Sequence, residues 1–153
     1  MSLAKKRLLL AGAIALACSQ PVLAETVGQT LEQADRYWVE GKLVQAQQAF
    51  EAAVKAEPAS VPARLRLAGF QLSQQQMEAC IANYKQVIGQ EPKNSKAWIG
   101  LGMAFLHISQ PENARAAFDE AIRADPSRKE QLALLLAKLD EKAKQLPRGE
   151  SKP

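Results

Sequence analysis

Three prolines frame this chain. Pro58, Pro92 and Pro126 stand 34 residues apart, twice over, and each follows an acidic residue: Glu57, Glu91 and Asp125. A proline cannot continue a helix and pushes the residue before it out of the α region, so each pair marks a helix end. Alignment on these stops superposes Phe50, Tyr84 and Phe118 eight residues upstream. Ala53, Val87 and Ala121 then fall in register, as do Ala46, Cys80 and Ala114. A chain that repeats its large and small apolar positions at a fixed period folds as a stack of like units, each burying its face against the next.

Within each unit, apolar residues recur at spacings of three and four, as in Trp98, Leu101, Gly102 and Phe105, which makes one helical stripe. Gly102 and the alanines allow close helix approach, while Phe50, Tyr84 and Phe118 have the bulk to fill the space between helices. Asn94 and Ser95, and Ser127, offer side-chain oxygens to open the helices that follow the prolines.

These features together resemble the tetratricopeptide repeat, a helix–turn–helix unit. The third copy carries Trp98, Leu101, Gly102, Phe105, Ala114, Phe118, Ala121 and Pro126, matching the family signature with Phe105 in place of a Tyr. The first keeps Ala34, Tyr37, Gly41, Ala46, Phe50, Ala53 and Pro58, with Thr30 and Gln33 where the Trp and Leu belong. The second departs most, having Arg64 at the Trp position, Gln71 at the aromatic one and Cys80 at a small one. The resemblance implies an all-α fold, an α-solenoid domain over about 25–146 with units at about 27–60, 61–94 and 95–128. A capping helix at about 127–146 repeats the first-helix stripe as Leu132, Leu135, Leu136 and Leu139, with Ser127 and Glu130 reading as its capping box. Residues 147–153 are expected to be a disordered tail.

The start of the chain reads differently. Lys5, Lys6 and Arg7 precede an uncharged run from Leu8 to Ala17, and Val22 and Ala24 stand three and one residues before Glu25. Basic start, short apolar stretch and small residues at the cut form a secretory signal over 1–24, with cleavage after Ala24 and a periplasmic destination. An alternative rests on Cys18, because Ile14 to Cys18 resembles a permissive lipoprotein box whose cysteine would be lipidated, giving an outer-membrane lipoprotein. The net charge of +4 bears on the same point. Residues 25–153 hold 17 basic and 16 acidic side chains, so most of the excess lies in the signal and nucleic acid is not an expected partner.

Enzymatic chemistry has little material here. Beyond the signal there is one histidine, His107, and one cysteine, Cys80, with no Gly-rich phosphate loop and no metal-ligand spacing. We expect no catalytic residue, no metal and no cofactor. The resemblance implies that the first helices line a concave groove, with inner positions at Leu31, Asp35 and Trp38, then Leu65, Gly69 and Leu72, then Lys96, Ile99, Met103 and Leu106, with His107 beside them. These are mostly apolar and lie on a different helix face from Leu67, Leu101 and Phe105, so they are expected to face outward as an interaction strip. Lys96 occupies one position used by members that clasp acidic C-terminal tails, but Leu31 and Asp35 stand where those carry Lys and Asn, so an apolar or amphipathic segment of another exported or envelope protein is the expected partner. Self-association or a fixed structural role through the same face, and a lipid-anchored assembly factor, are the competing expectations. Intact-mass measurement of the protein from its native host separates the N-terminal readings. A start at Glu25 is expected, whereas a start at acylated Cys18 would replace the soluble form by the anchored one.

Overall fold

The computed structural model describes residues 26–145, so the expected signal, Cys18 and the expected tail at 147–153 lie outside the described residues. Among the described residues seven α-helices follow one another: α1 Val27–Val39, α2 Leu43–Ala56, α3 Val61–Ser73, α4 Met77–Gln90, α5 Ser95–His107, α6 Pro111–Ala124 and α7 Lys129–Gln145. They pair as antiparallel hairpins, α1 with α2, α3 with α4 and α5 with α6, and each hairpin packs on the next. The first helices also touch in series, α1 against α3 and α3 against α5, and α7 closes the end against α6. This is the all-α solenoid of three units and a capping helix implied by the sequence.

The helix starts alternate in chemistry. Each first helix is opened by a side chain: Thr26 accepts from the Gln29 N–H in a reciprocal capping box, Ser60 accepts from Ala63, and Asn94 accepts from Ala97. The second helices have no such cap and are reached through a tight turn instead. The turn repeats at the same period, with positive φ at Gly41, Gln75 and Ser109. In each copy two backbone N–H groups reach back to the preceding helix, as in Gly41 to Trp38 and Lys42 to Tyr37. That is the Schellman arrangement, which satisfies carbonyls a helix end leaves open. Only the first unit uses glycine for the left-handed residue.

The last helix departs from expectation at its start. Ser127 does not open a capping box with Glu130. It lies inside a short 3-10 turn, Pro126–Arg128, and its own N–H donates to Asp125 at 3.1 Å. Asp125 is the capping residue because it also accepts from the Ser127 hydroxyl at 2.6 Å and from Arg128 at 3.0 Å. These donors, the Ser127 hydroxyl first, hold its carboxyl below the usual range. Leu132 and Leu139 are buried against α6, and an Arg115–Asp140 ion pair joins the two helices.

The expected small positions are all sealed: Ala46, Cys80 and Ala114, and Ala53, Val87 and Ala121, are fully buried. Phe50 and Phe118 are fully buried beside them, and Tyr84 almost so. Glycine is required where these rings lie. A Cβ on Gly102 would stand 2.5 Å from the Phe118 ring, inside any tolerable contact. Unit two solves its interior by a different route. Arg64 Nη2 donates to the Pro58 carbonyl at 2.7 Å, and Trp98 Nε1, one repeat on, donates to the Pro92 carbonyl at 2.8 Å. Arg64 Nη1 donates to Asn83 at 3.0 Å, and Asn83 donates to the buried Gln71 at 2.7 Å. Their counterparts in unit three are Trp98, Phe105 and Ala117, so three positions change together from apolar to polar.

Gly102→Ala is expected to destabilise the array by about 1–3 kcal/mol, the usual cost of overpacking, as read from the urea midpoint. Gly89→Ala makes the contrast, because a Cβ there meets open space on α4. It should gain up to about 1 kcal/mol from helix propensity. Equal shifts in the two variants would contradict the ring-on-glycine contact.

Candidate partner-binding groove

The expected groove positions divide by unit. Leu31 is only 4 % exposed and belongs to the first core cluster with Ala34, Ala63 and Leu67. Trp38 packs edge-on against Phe50 and Phe70, its ring centroid 5.7 Å from that of Phe70 at an 83° interplanar angle. The expectation that Leu31 faces outward is therefore corrected, while Trp38 is half-buried with one face held by the aromatic cluster. The cause is Phe70 of α3, fully buried, whose counterpart in unit three is Ala104. Its bulk reaches back to α1 and makes Trp38 part of the wall. The reading missed Phe70 because the repeat register gives no reason for an aromatic there, which was itself the signal.

Asp35 stays on the surface but is not free. It pairs with Arg66 across the junction of α1 and α3. Arg66 lies 31 residues on, one repeat less one turn of helix, and that spacing could have found it. Leu65 and Leu72 are half-buried and pack on the second cluster, which holds Ala68, Tyr84, Val87 and Leu101. Ile99, Met103 and Leu106 are half-buried against the third, which holds Ala114, Phe118 and Leu132. Lys96 and His107 are exposed at the two ends of α5. Gly69 is half-buried.

Of these residues, Leu65 and Lys96 meet in one depression of about 860 Å³ between the starts of α3 and α5, with Val61, Pro62 and Pro92. A contiguous depression of about 420 Å³ is lined by Pro62, Leu65, Arg66, Tyr84 and Lys96. Its walls are apolar at Pro62 and Leu65, and its charges are cationic. Among the described residues there is no cluster of three or more metal-ligating side chains, and no helix is long and apolar enough to cross a membrane.

Two family models described as tetratricopeptide repeat match this architecture, one over residues 38–82 and one over residues 79–129. The helix hairpins are tetratricopeptide repeats. Solved structures of similar fold include the tetratricopeptide-repeat domain of Sgt2 from Aspergillus fumigatus, at 20 % identity and a TM-score of 0.72, covering 83 % of this chain and 85 % of that one. The type III secretion translocator chaperone SycD of Yersinia enterocolitica aligns at 18 % identity and a TM-score of 0.71, covering 80 % and 98 %. The second tetratricopeptide-repeat domain of human RPAP3, solved with an HSP70 peptide, aligns at 21 % identity and a TM-score of 0.67, covering 75 % and 95 %. In sequence, the general transcriptional corepressor ssn6 of Schizosaccharomyces pombe is 26 % identical over 110 residues. That match takes in 67 % of this chain, which spans about a tenth of the corepressor's length.

The two buried acids of the second repeat have no part in proton transfer at ordinary pH. Burial pushes the Cys80 thiol up to about 11, and burial, then the charge of Cys80, pushes the Tyr84 phenol up to about 12. A proton held more tightly in the folded state adds stability that is complete below the unfolded pKa and lost as pH rises through the folded one. Stability is therefore expected to fall from about pH 9 to about pH 12, and the Cys80→Ala/Tyr84→Phe variant should fall less steeply over that range. Urea midpoints at a series of alkaline pH values make the comparison. Parallel curves would show that neither group contributes.

Proposed function

We propose that this protein is an exported, non-catalytic adaptor whose groove takes an apolar or amphipathic segment of another envelope protein. One observation carries the reading. Leu65, Leu72, Ile99, Met103 and Leu106 keep partly exposed apolar side chains on successive first helices of units two and three. The row is shorter than the sequence implied, because Leu31 is buried and Trp38, half-buried, leans on the aromatic cluster of the first unit. The human RPAP3 domain of like fold holds a peptide, which favours a segment of a partner protein as the ligand of this groove. The signal-like residues 1–24 favour an exported partner and a periplasmic location.

A few anchors of about 1.5–3 kcal/mol each, set against an association cost of roughly 4–15 kcal/mol, give moderate and reversible binding. Leu72 and Met103 also pack on the cores behind them, so truncation to alanine is a milder change than insertion of a charge. The Leu72→Ala/Met103→Ala protein is expected to capture its partner from envelope extract at least tenfold less well, with its helical circular dichroism retained. Undiminished capture by the folded variant would overturn the groove. Mass measured over a concentration series tests the self-association reading, since the adaptor is expected to stay monomeric.

A further inference from the structure

A further depression lies between the two helices of the first hairpin, and none of the groove positions lines it. It holds about 340 Å³, walled by Thr30, Gln33 and Tyr37 of α1 and by Gln45, Gln48 and Ala49 of α2. Departures from the repeat register open it. Thr30 stands where unit two has Arg64 and unit three has Trp98, long side chains that reach the carbonyls of Pro58 and Pro92. Thr30 fills far less, and its hydroxyl turns back to donate to the Thr26 carbonyl at 3.2 Å. Gln33 stands where the other units have Leu67 and Leu101, both buried. A notch with a polar rim is left where those units place bulk.

Three primary amides, an alcohol and a phenol line this notch, and no described lining residue is charged. Each amide offers N–H donors and an acceptor oxygen. Gln33 Nε2 donates to the Tyr37 hydroxyl at 2.8 Å, and a hydroxyl that accepts one bond keeps its own proton to give. Tyr37 also packs on the first core cluster, which fixes its ring. Contact with water alone does not ask for this composition. The outer face of α7, at the other end of the array, meets water with Lys129, Glu130, Lys138 and Glu141. Unit two exposes Ala79 and Ala82 where unit one has Gln45 and Gln48. Neutral groups that both give and accept, set on two sides of a notch, complement a neutral ligand that does the same around its rim. The hydroxyls of a sugar ring are such groups, and its C–H face matches the ring of a tyrosine. A polypeptide fits less well, because its apolar side chains would find only the methyls of Thr30 and Ala49 and the Tyr37 ring.

We propose that this notch binds a neutral saccharide unit, with the amides of Gln33, Gln45 and Gln48 bonding its hydroxyls and Tyr37 lying against its C–H face. Its volume is near the lower end of the roughly 300–1,000 Å³ of ligand pockets, which suits one sugar ring. Gln45 and Gln48 are exposed, so that ring can be a free sugar or one residue of a glycan chain passing over the site. The notch is independent of the groove, and either can fail without the other.

The purified protein is titrated with N-acetylglucosamine, its β-1,4-linked trimer and maltotriose, and side-chain amide signals are followed by NMR. At least one of these probes is expected to bind with a dissociation constant on the order of 1 mM and to shift the amide signals of Gln45 and Gln48. Two variants borrow the residues of the other units. Thr30→Trp fills the notch as unit three does, and Gln45→Ala/Gln48→Ala removes amides as unit two does. Each is expected to weaken binding at least tenfold with helical circular dichroism retained. A trimer that binds at least tenfold more tightly than the single sugar assigns the site to a glycan chain, and equal affinities assign it to a free sugar. Absence of any shift at Gln45 and Gln48 with all three probes would overturn the site, a result that needs neither variant. Unchanged affinity in the folded variants would overturn it as well. So would a blocked trialanine peptide that shifts the same signals as strongly as the sugars, which would make the notch a polypeptide contact.

Discussion

Everything in this array depends on how closely one helix can approach a large ring carried by another. Phe118 lies against Gly102 within the third hairpin, and Tyr84 lies against Gly100 across the junction of the second and third. One contact sets the spacing inside a unit and the other sets it between units. Dispersion and apolar burial reward such contacts only while the ring meets backbone rather than a side chain. The fully buried alanines at 46, 53, 114 and 121 extend the same rule around Phe50 and Phe118. Groove, cap and turns are arranged on the pitch these contacts impose.

The architecture was legible because it is written as a period. Proline stops, small positions and ring positions recur every 34 residues, and each recurrence confirms the others. What the period hid is what departs from it. Phe70 has no aromatic counterpart, yet it closes over Trp38 and removes part of the expected groove. Arg64 looked like damage to the signature, whereas its guanidinium makes the bond to Pro58 that the Trp98 indole makes to Pro92. Asp125 takes the role expected of Ser127, because proline at 126 begins a 3-10 turn before the helix proper. In each case the sequence contained the residue and only three-dimensional neighbours revealed its use.

The groove reading was legible in the same partial way. Register placed Leu65 and Lys96 on neighbouring helices, and they do meet in one depression. It could not show that Tyr84, from a second helix, reaches the same surface, since that needs the absence of a side chain at Gly100. A binding surface in a solenoid is thus built from first helices but can be supplied from beneath. The charge distribution fits a neutral body with local features: Asp35 and Arg66 neutralise each other at one junction, while Lys96 stands apart at the next.

The polar interior of the second repeat has a consequence for how such a chain can change over generations. Arg64, Gln71 and Asn83 bond in a chain that leaves Arg64 Nε buried without a partner, where Trp98, Phe105 and Ala117 use apolar packing one repeat later. The two sets do not mix freely, since replacing Asn83 alone would leave the buried Gln71 amide without its partner. A step toward the family signature at Asn83 alone therefore carries a cost that a joint change with Gln71 avoids.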